Sequence, residues 1–270
     1  MNCSKWIFII LSFLIFIGGL LYFYHQLTEY YSFAKEKTII YNKRCSNDAL
    51  TVLFIGDSWA AYHSKYDHQL KNMIEDGLGI PVNVYSQGAI GAKTNAIYYY
   101  MSDTIPPFGT KSLLNKVPNY CIISAGINDA VAKLGPKNYI HHYELIIKRL
   151  LSNGIKPIVL DMPDVDYKLT YQKESFLVKI RHHISSWYTN APLWDFNEYR
   201  SELCSMIHER GYDSKIIFIS SRRWNSDGYN DSRGIYRDDL IHLNEKGYLL
   251  LDSCITSQII ADYGTTPDCQ

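Results

Sequence analysis

The stretch ALTVLFIGDS, residues 49–58, decides the architecture. An uncharged apolar and β-branched run enters Gly56-Asp57-Ser58, which reads as a short strand buried on both faces and feeding a turn. Three further runs repeat the pattern: 80–85 before Ser86-Gln87-Gly88, 120–125 before Gly126-Ile127-Asn128-Asp129, and 156–160 before Asp161-Met162-Pro163. A weaker fifth is 192–196. Helix-like stretches lie between or beside them at 65–76, 93–101, 137–152 and 174–188, and 243–262 closes the chain with Asn244 as its cap. Within 139–151, Ile140, Tyr143, Ile146, Ile147, Leu150 and Leu151 recur at three- and four-residue steps, as one buried helical face requires. Strands of the buried type alternating with helices predict an α/β domain with a mostly parallel sheet wrapped on both faces. In such sheets the ligand crevice lies beyond the carboxyl ends of the strands, which here carry small and polar residues.

Ser58 ends the first strand. A serine hydroxyl is a weak nucleophile until a base takes its proton, so a histidine and an orienting acid are needed. Asp239 and His242, in Asp239-Leu240-Ile241-His242, are spaced so that the carboxylate reaches one ring nitrogen and leaves the other for the serine. A pair at that spacing also arises by chance in a chain of this composition. The weight falls on joint placement: the serine ends the first strand, Gly-x-Asn-Asp ends the third, and the Asp/His pair precedes the last helix.

Together these blocks resemble the SGNH, or GDSL-type, hydrolase family, in which four short blocks supply Ser, Gly, Asn and His. They match here as Gly56-Asp57-Ser58, Gly91 (with Gly88 as the alternative), Gly126-Ile127-Asn128-Asp129 and Asp239-Leu240-Ile241-His242, in family order over about residues 49–262. The resemblance implies a three-layer α/β/α sandwich of flavodoxin-like strand order. It also implies a catalytic Ser58, His242 and Asp239, with an oxyanion hole made by the backbone N–H groups of Ser58 and Gly91 and the side-chain amide of Asn128. This chemistry requires no metal or organic cofactor. Gly56-x-Ser58-x-Ala60 also comes near the nucleophile elbow of α/β-hydrolases, but that fold needs strands upstream of the nucleophile, where only a tether stands here.

Other residues read as structural. Asp57 and Asp129 bond backbone around the site. His63, His68, His141, His142, His182, His183 and His208 lack ligand spacing and read as exposed helix or loop positions. Arg222-Arg223-Trp224 either lines the cleft or caps a helix. Six cysteines show no CxxC pair and no zinc-like spacing; Cys121, in an apolar run, reads as a buried thiol, and pairing among Cys45, Cys204, Cys254 and Cys269 is open.

Residues 6–24, WIFIILSFLIFIGGLLYFY, carry no charge, and nineteen helical residues reach about 28 Å, close to the bilayer hydrocarbon thickness. They read as an uncleaved anchor, with a cleaved signal peptide as the alternative. The domains expected are therefore a cytoplasmic tail 1–5, the span 6–24, a tether 25–48, the hydrolase domain 49–262 and a tail 263–270. Lys5 places the domain outside, although Lys35, Lys37, Lys43 and Arg44 oppose it. The chain holds 27 basic and 27 acidic residues, of which only Lys5 precedes the span. The charge balance therefore belongs to the residues beyond the span, and no basic excess supports nucleic-acid binding. The expected substrate is an acylated small molecule or polysaccharide, with O-acetyl esters of envelope or exported polysaccharide foremost. Alternatives are an O-acetyltransferase using the same site, a lipid-ester or thioester acylhydrolase, and a non-catalytic carbohydrate-binding envelope protein. The oligomeric state is open.

Overall fold

The five strands form where aliphatic and β-branched residues are covered on both faces. In β1 (Leu50–Gly56) Val52, Leu53, Phe54 and Ile55 are all fully buried, so the run is continuous rather than alternating. With β2 (Val82–Gly88), β3 (Tyr120–Ser124), β4 (Lys156–Leu160) and β5 (Ile217–Ile219) it makes one all-parallel sheet of order β2-β1-β3-β4-β5. That is the flavodoxin-like order, and the direction of winding reverses between β1 and β3, where such folds open a crevice.

The computed structural model describes residues 3–31, 33–41, 49–165, 167–225 and 233–264. It divides into two units, Met1–Ala34 and Lys35–Gln270. The first is the helix α1 (Cys3–Tyr31), whose segment Ser4–Phe23 has mean hydropathy 2.5 and no burial within the structure. Twenty helical residues span about 30 Å, so this helix is long and apolar enough to cross a membrane, as an anchor or a signal sequence is.

In the second unit, α2 (Ser58–His63) and α3 (Asp67–Leu78) link β1 to β2, and α4 (Thr94–Tyr100) and α5 (Lys111–Leu114) link β2 to β3. Next come α6 (Ile127–Val131) and α7 (Pro136–Ser152) before β4, then α8 (Tyr167–Gln172), α9 (Phe176–Thr189) and α10 (Asn197–Glu209) before β5. The closing helix is α11 (Glu245–Tyr263), capped by Asn244, whose side chain accepts from Gly247 N at 3.1 Å. Proline opens α7, where its missing N–H costs nothing, and Tyr139, Tyr143, Ile146, Ile147 and Leu150 bury one face.

One strand departs from the sequence expectation. Residues 192–196 form no strand; Leu193 instead turns its carbonyl onto the buried Lys133 ammonium at 2.7 Å, and Phe196 packs against Tyr167. The fifth strand is the three-residue Ile217–Ile219, too short to show a period. Part of the expected tether is fastened to the domain. Arg149 donates to the Lys37 carbonyl at 3.1 Å, Asn153 to the Ile39 carbonyl at 2.9 Å, and the buried Tyr41 hydroxyl to the Met101 carbonyl at 3.1 Å. Cys121 is buried as expected, Cys204 and Cys254 are free thiols, and Cys45 and Cys269 lie outside the described residues.

Candidate active site

Three small residues in register, Gly88, Gly56 and Ser124, cross β2, β1 and β3 at their carboxyl ends. They let α2 sit down on the sheet edge. A Cβ on Gly56 would stand 2.2 Å from the Ser124 carbonyl oxygen, and one on Gly88 would stand 2.2 Å from that of Asp57. Asp57 caps α2, its Oδ1 accepting from Trp59 N at 3.0 Å and from Ser124 Oγ at 3.1 Å. Burial pushes this carboxyl up to about 7, against the lowering effect of those hydrogen bonds. Ser58 is then the first residue of α2, 6% exposed.

The facing loop brings the other two side chains. His242 Nε2 lies 2.9 Å from Ser58 Oγ, and His242 Nδ1 lies 2.7 Å from Asp239 Oδ2. The other carboxylate oxygen, Oδ1, accepts from the backbone N–H groups of Ile241 at 2.9 Å and His242 at 2.8 Å. Partial burial works against the charged form of Asp239, but those hydrogen bonds and the imidazole outweigh it and hold the carboxyl below its ordinary value. Leu240 takes a left-handed conformation, φ 55°, to close the turn.

Two residues outside the four sequence blocks fix this loop. Trp59 Nε1 donates to the Ile241 carbonyl at 3.2 Å, and the Tyr62 ring meets His242 edge-on at 5.1 Å. Both lie on α2, one and four residues after Ser58, so the helix that carries the hydroxyl also orients the imidazole. Their signal in the sequence is the helical i, i+4 spacing from Ser58 to Tyr62, visible only once α2 is known to be a helix. Trp224 is buried with its ring edge-on to Trp59 at 5.6 Å, while Arg222 and Arg223 are exposed.

Asn128 stands in the first turn of α6, which follows β3. Its Nδ2 donates to the Ala92 carbonyl at 3.0 Å, which ties α6 to the turn carrying Gly91. Gly91 is exposed at φ 77° with open space around it, whereas Gly88 is packed under α2. Asp129 is fully buried, accepting from Thr94 N at 3.0 Å and Thr94 Oγ1 at 2.6 Å, and burial pushes it up to about 6. It fastens α6 to α4.

The histidines depart from the sequence expectation. His63, His142 and His182 are buried rather than exposed, while His68 and His208 are at the surface. His63 Nε2 meets Asp252 Oδ1 at 2.9 Å, and its Nδ1 meets Ser86 Oγ at 2.7 Å and Asp67 Oδ1 at 3.2 Å. Burial alone would lower its pKa, but the two carboxylates outweigh this and raise it to about 9. Asp252 lies on α11 and Asp67 on α3, so the cluster joins elements far apart in the chain. Among the described residues no group of three or more His, Cys, Asp or Glu side chains is disposed to hold a metal ion.

The family model described as GDSL-like lipase/acylhydrolase matches residues 54–250. Among solved structures, the chain is similar to an acetyl xylan esterase with 18% identity and a TM-score of 0.56, covering 78% of this chain and 100% of that one. It is similar to a GDSL-like lipase from Bacteroides thetaiotaomicron, with 16% identity and a TM-score of 0.50 over 89% and 97% of the two chains. An esterase from Pseudoalteromonas sp., seen inhibited by monoethylphosphonate, matches with 11% identity and a TM-score of 0.52 over 80% and 99%. These likenesses show a common fold. None of the curated proteins matches the chain.

Proposed function

Because the chain belongs to the GDSL-like lipase/acylhydrolase family, we propose that it is a serine esterase acting through Ser58, His242 and Asp239. The unbroken contact chain from Asp239 through His242 to Ser58 carries this reading. Ser58 Oγ attacks the ester carbonyl carbon as His242 Nε2 takes the hydroxyl proton. Asp239 holds Nδ1–H, so the tautomer leaves Nε2 free to accept, and it stabilises the imidazolium that forms. The carbonyl oxygen becomes an oxyanion, met by the backbone N–H groups of Ser58 and Gly91 and by the Asn128 amide. Collapse of this adduct breaks the bond to the alcohol, which leaves with the proton from Nε2. Water then repeats the sequence on the acyl-serine, releasing the carboxylic acid and restoring the hydroxyl.

The substrate proposed is an O-acetyl ester on an envelope or exported polysaccharide, with α1 as the anchor and the domain on the extracytoplasmic side. A shared fold with an enzyme that acts on acetyl xylan is consistent with a small acyl group. Labelling by a fluorophosphonate, together with turnover of an aryl acetate by the wild type and by Ser58→Ala, tests the reading. Labelling and turnover that both vanish in Ser58→Ala support it; no labelling and equal turnover overturn it. Release of free acetate without any sugar acceptor separates hydrolysis from acetyl transfer.

A further inference from the structure

The helix α9 is amphipathic in the wrong sense for a water-facing element. At about 100° per residue, Phe176, Leu177, Ile180, Ile184, Trp187 and Tyr188 fall within an arc of roughly 120°. That arc faces outward: Phe176 is 74% exposed, Leu177 73% and Trp187 84%. The residues buried against the domain, His182 and Ser185, are polar and occupy the opposite side. An aromatic side chain carries about 150–250 Å² of surface, so Phe176, Trp187 and the half-exposed Tyr188 alone make a patch of several hundred Å², at the limit of what isolated soluble proteins leave in water.

Charge and chain context name the occupant. Across α8 and α9, residues 167–189, stand Lys168, Lys173, Lys179 and Arg181 against the single acid Glu174. Lys179 and Arg181 flank the apolar arc on its two sides. The Lys179 ammonium donates to the Gln172 carbonyl and faces the Tyr171 ring, and no carboxylate among the described residues neutralises its charge. An outward apolar arc with Trp and Tyr, bordered by basic residues, is the pattern of a helix lying in the plane of a bilayer interface with anionic headgroups. The same chain carries α1, whose twenty-residue apolar segment is long enough to cross a bilayer. This inference rests on the proposed reading of α1 as an anchor, which would hold the domain at high effective concentration near lipid, where a weak second contact suffices.

We propose that the outward face of α9 is a membrane-interface surface, seating Phe176, Leu177, Ile184, Trp187 and Tyr188 in the headgroup and upper acyl region of an anionic bilayer. The test uses the full chain, one copy per nanodisc, in mixed phosphatidylcholine and phosphatidylglycerol with or without bromine on the acyl chains. Trp6→Phe removes the tryptophan of the spanning segment. In that background brominated lipid is expected to quench about a quarter of the tryptophan emission, as one interfacial ring among the four remaining would, and adding Trp187→Phe is expected to abolish most of that quenching. Aryl acetate turnover in each variant confirms that the domain is folded. Equal quenching with and without Trp187 overturns the proposal. Quenching absent in single-copy discs but solvent shielding of Trp187 in discs holding two copies also overturns it, assigning the face to a second chain.

Discussion

His242 Nε2 lies 2.9 Å from Ser58 Oγ although 184 residues separate them in the chain. The approach is set by α2 itself. Trp59 holds the loop by the Ile241 carbonyl and Tyr62 meets the imidazole edge-on, so the Ser58 hydroxyl and the His242 ring are both referred to one short helix on the edge of the sheet.

Ser58→Ala removes the hydroxyl on which the proposed mechanism depends, and little packing. Turnover of an aryl acetate is expected to fall by about 10⁴–10⁶, with a thermal midpoint close to that of the wild type. Asp239→Asn keeps the shape but lets the amide favour the wrong imidazole tautomer, and a loss of about 10⁴ in kcat is expected. Steady-state kinetics beside a melting curve check both. A loss of activity that tracks a loss of folding would refute the assignment.

Trp59→Phe tests the positioning role. It keeps the ring against Trp224 but deletes the hydrogen bond to the Ile241 carbonyl. One such bond is worth about 1 kcal/mol, so kcat is expected to drop roughly 5–10-fold with KM little changed. Unchanged kcat would mean that the loop holds its place without Trp59.

The two glycines of the second block separate cleanly. Gly88→Ala would drive a methyl to 2.2 Å from the Asp57 carbonyl oxygen, so it is expected to destabilise the domain and displace α2. Gly91→Ala meets nothing within 4 Å, but the residue sits at φ 77°. About 1–2 kcal/mol of stability is the expected cost of a Cβ in that region, and the shifted N–H lowers kcat. Comparing urea midpoints with kcat tells them apart: a Gly91→Ala enzyme with full kcat would remove Gly91 from the oxyanion hole.

Asn128→Ala is expected to cost about 10²–10³ in kcat, the usual effect of losing one oxyanion donor. The Ala92 carbonyl loses its partner as well. KM for the ester should move little, because the ground-state carbonyl carries little charge. A change confined to KM would place Asn128 in substrate binding instead.

Legibility in the sequence depends on where each signal lives. β1, β3 and β4 announce themselves because both faces are buried and the runs are unbroken, and the small residues at their ends mark the crevice. Asp239 and His242 are one turn apart and need no long-range information. The helix α2 is six residues with no room for a period, so the placement of Trp59 and Tyr62 is hidden. In α9 the periodicity is readable but its direction is not: a sequence shows that apolar residues share a face, and only the packed domain shows that the face points outward. His63 escapes for a third reason, because its partners Ser86 and Asp252 stand 23 and 189 residues away.

That buried histidine sets a pH dependence of stability. Asp252 on one ring nitrogen and Asp67 on the other accept hydrogen bonds only when both nitrogens carry protons, so the fold favours the imidazolium and raises its pKa from 6.5 to about 9. Since the folded value lies above the unfolded one, the stabilisation is fully present below about pH 6.5, shrinks as pH rises from there, and is gone once pH has passed through about 9. A shift of this size corresponds to something on the order of 3 kcal/mol at low pH. His63→Gln, which leaves the carboxylates with an uncharged donor, is expected to be less stable than the wild type at pH 6, with the gap narrowing towards pH 10. Urea midpoints of the two proteins across that range measure it. Parallel curves would show that His63 is neutral in the folded state and that Ser86, donating to Nδ1, holds it there.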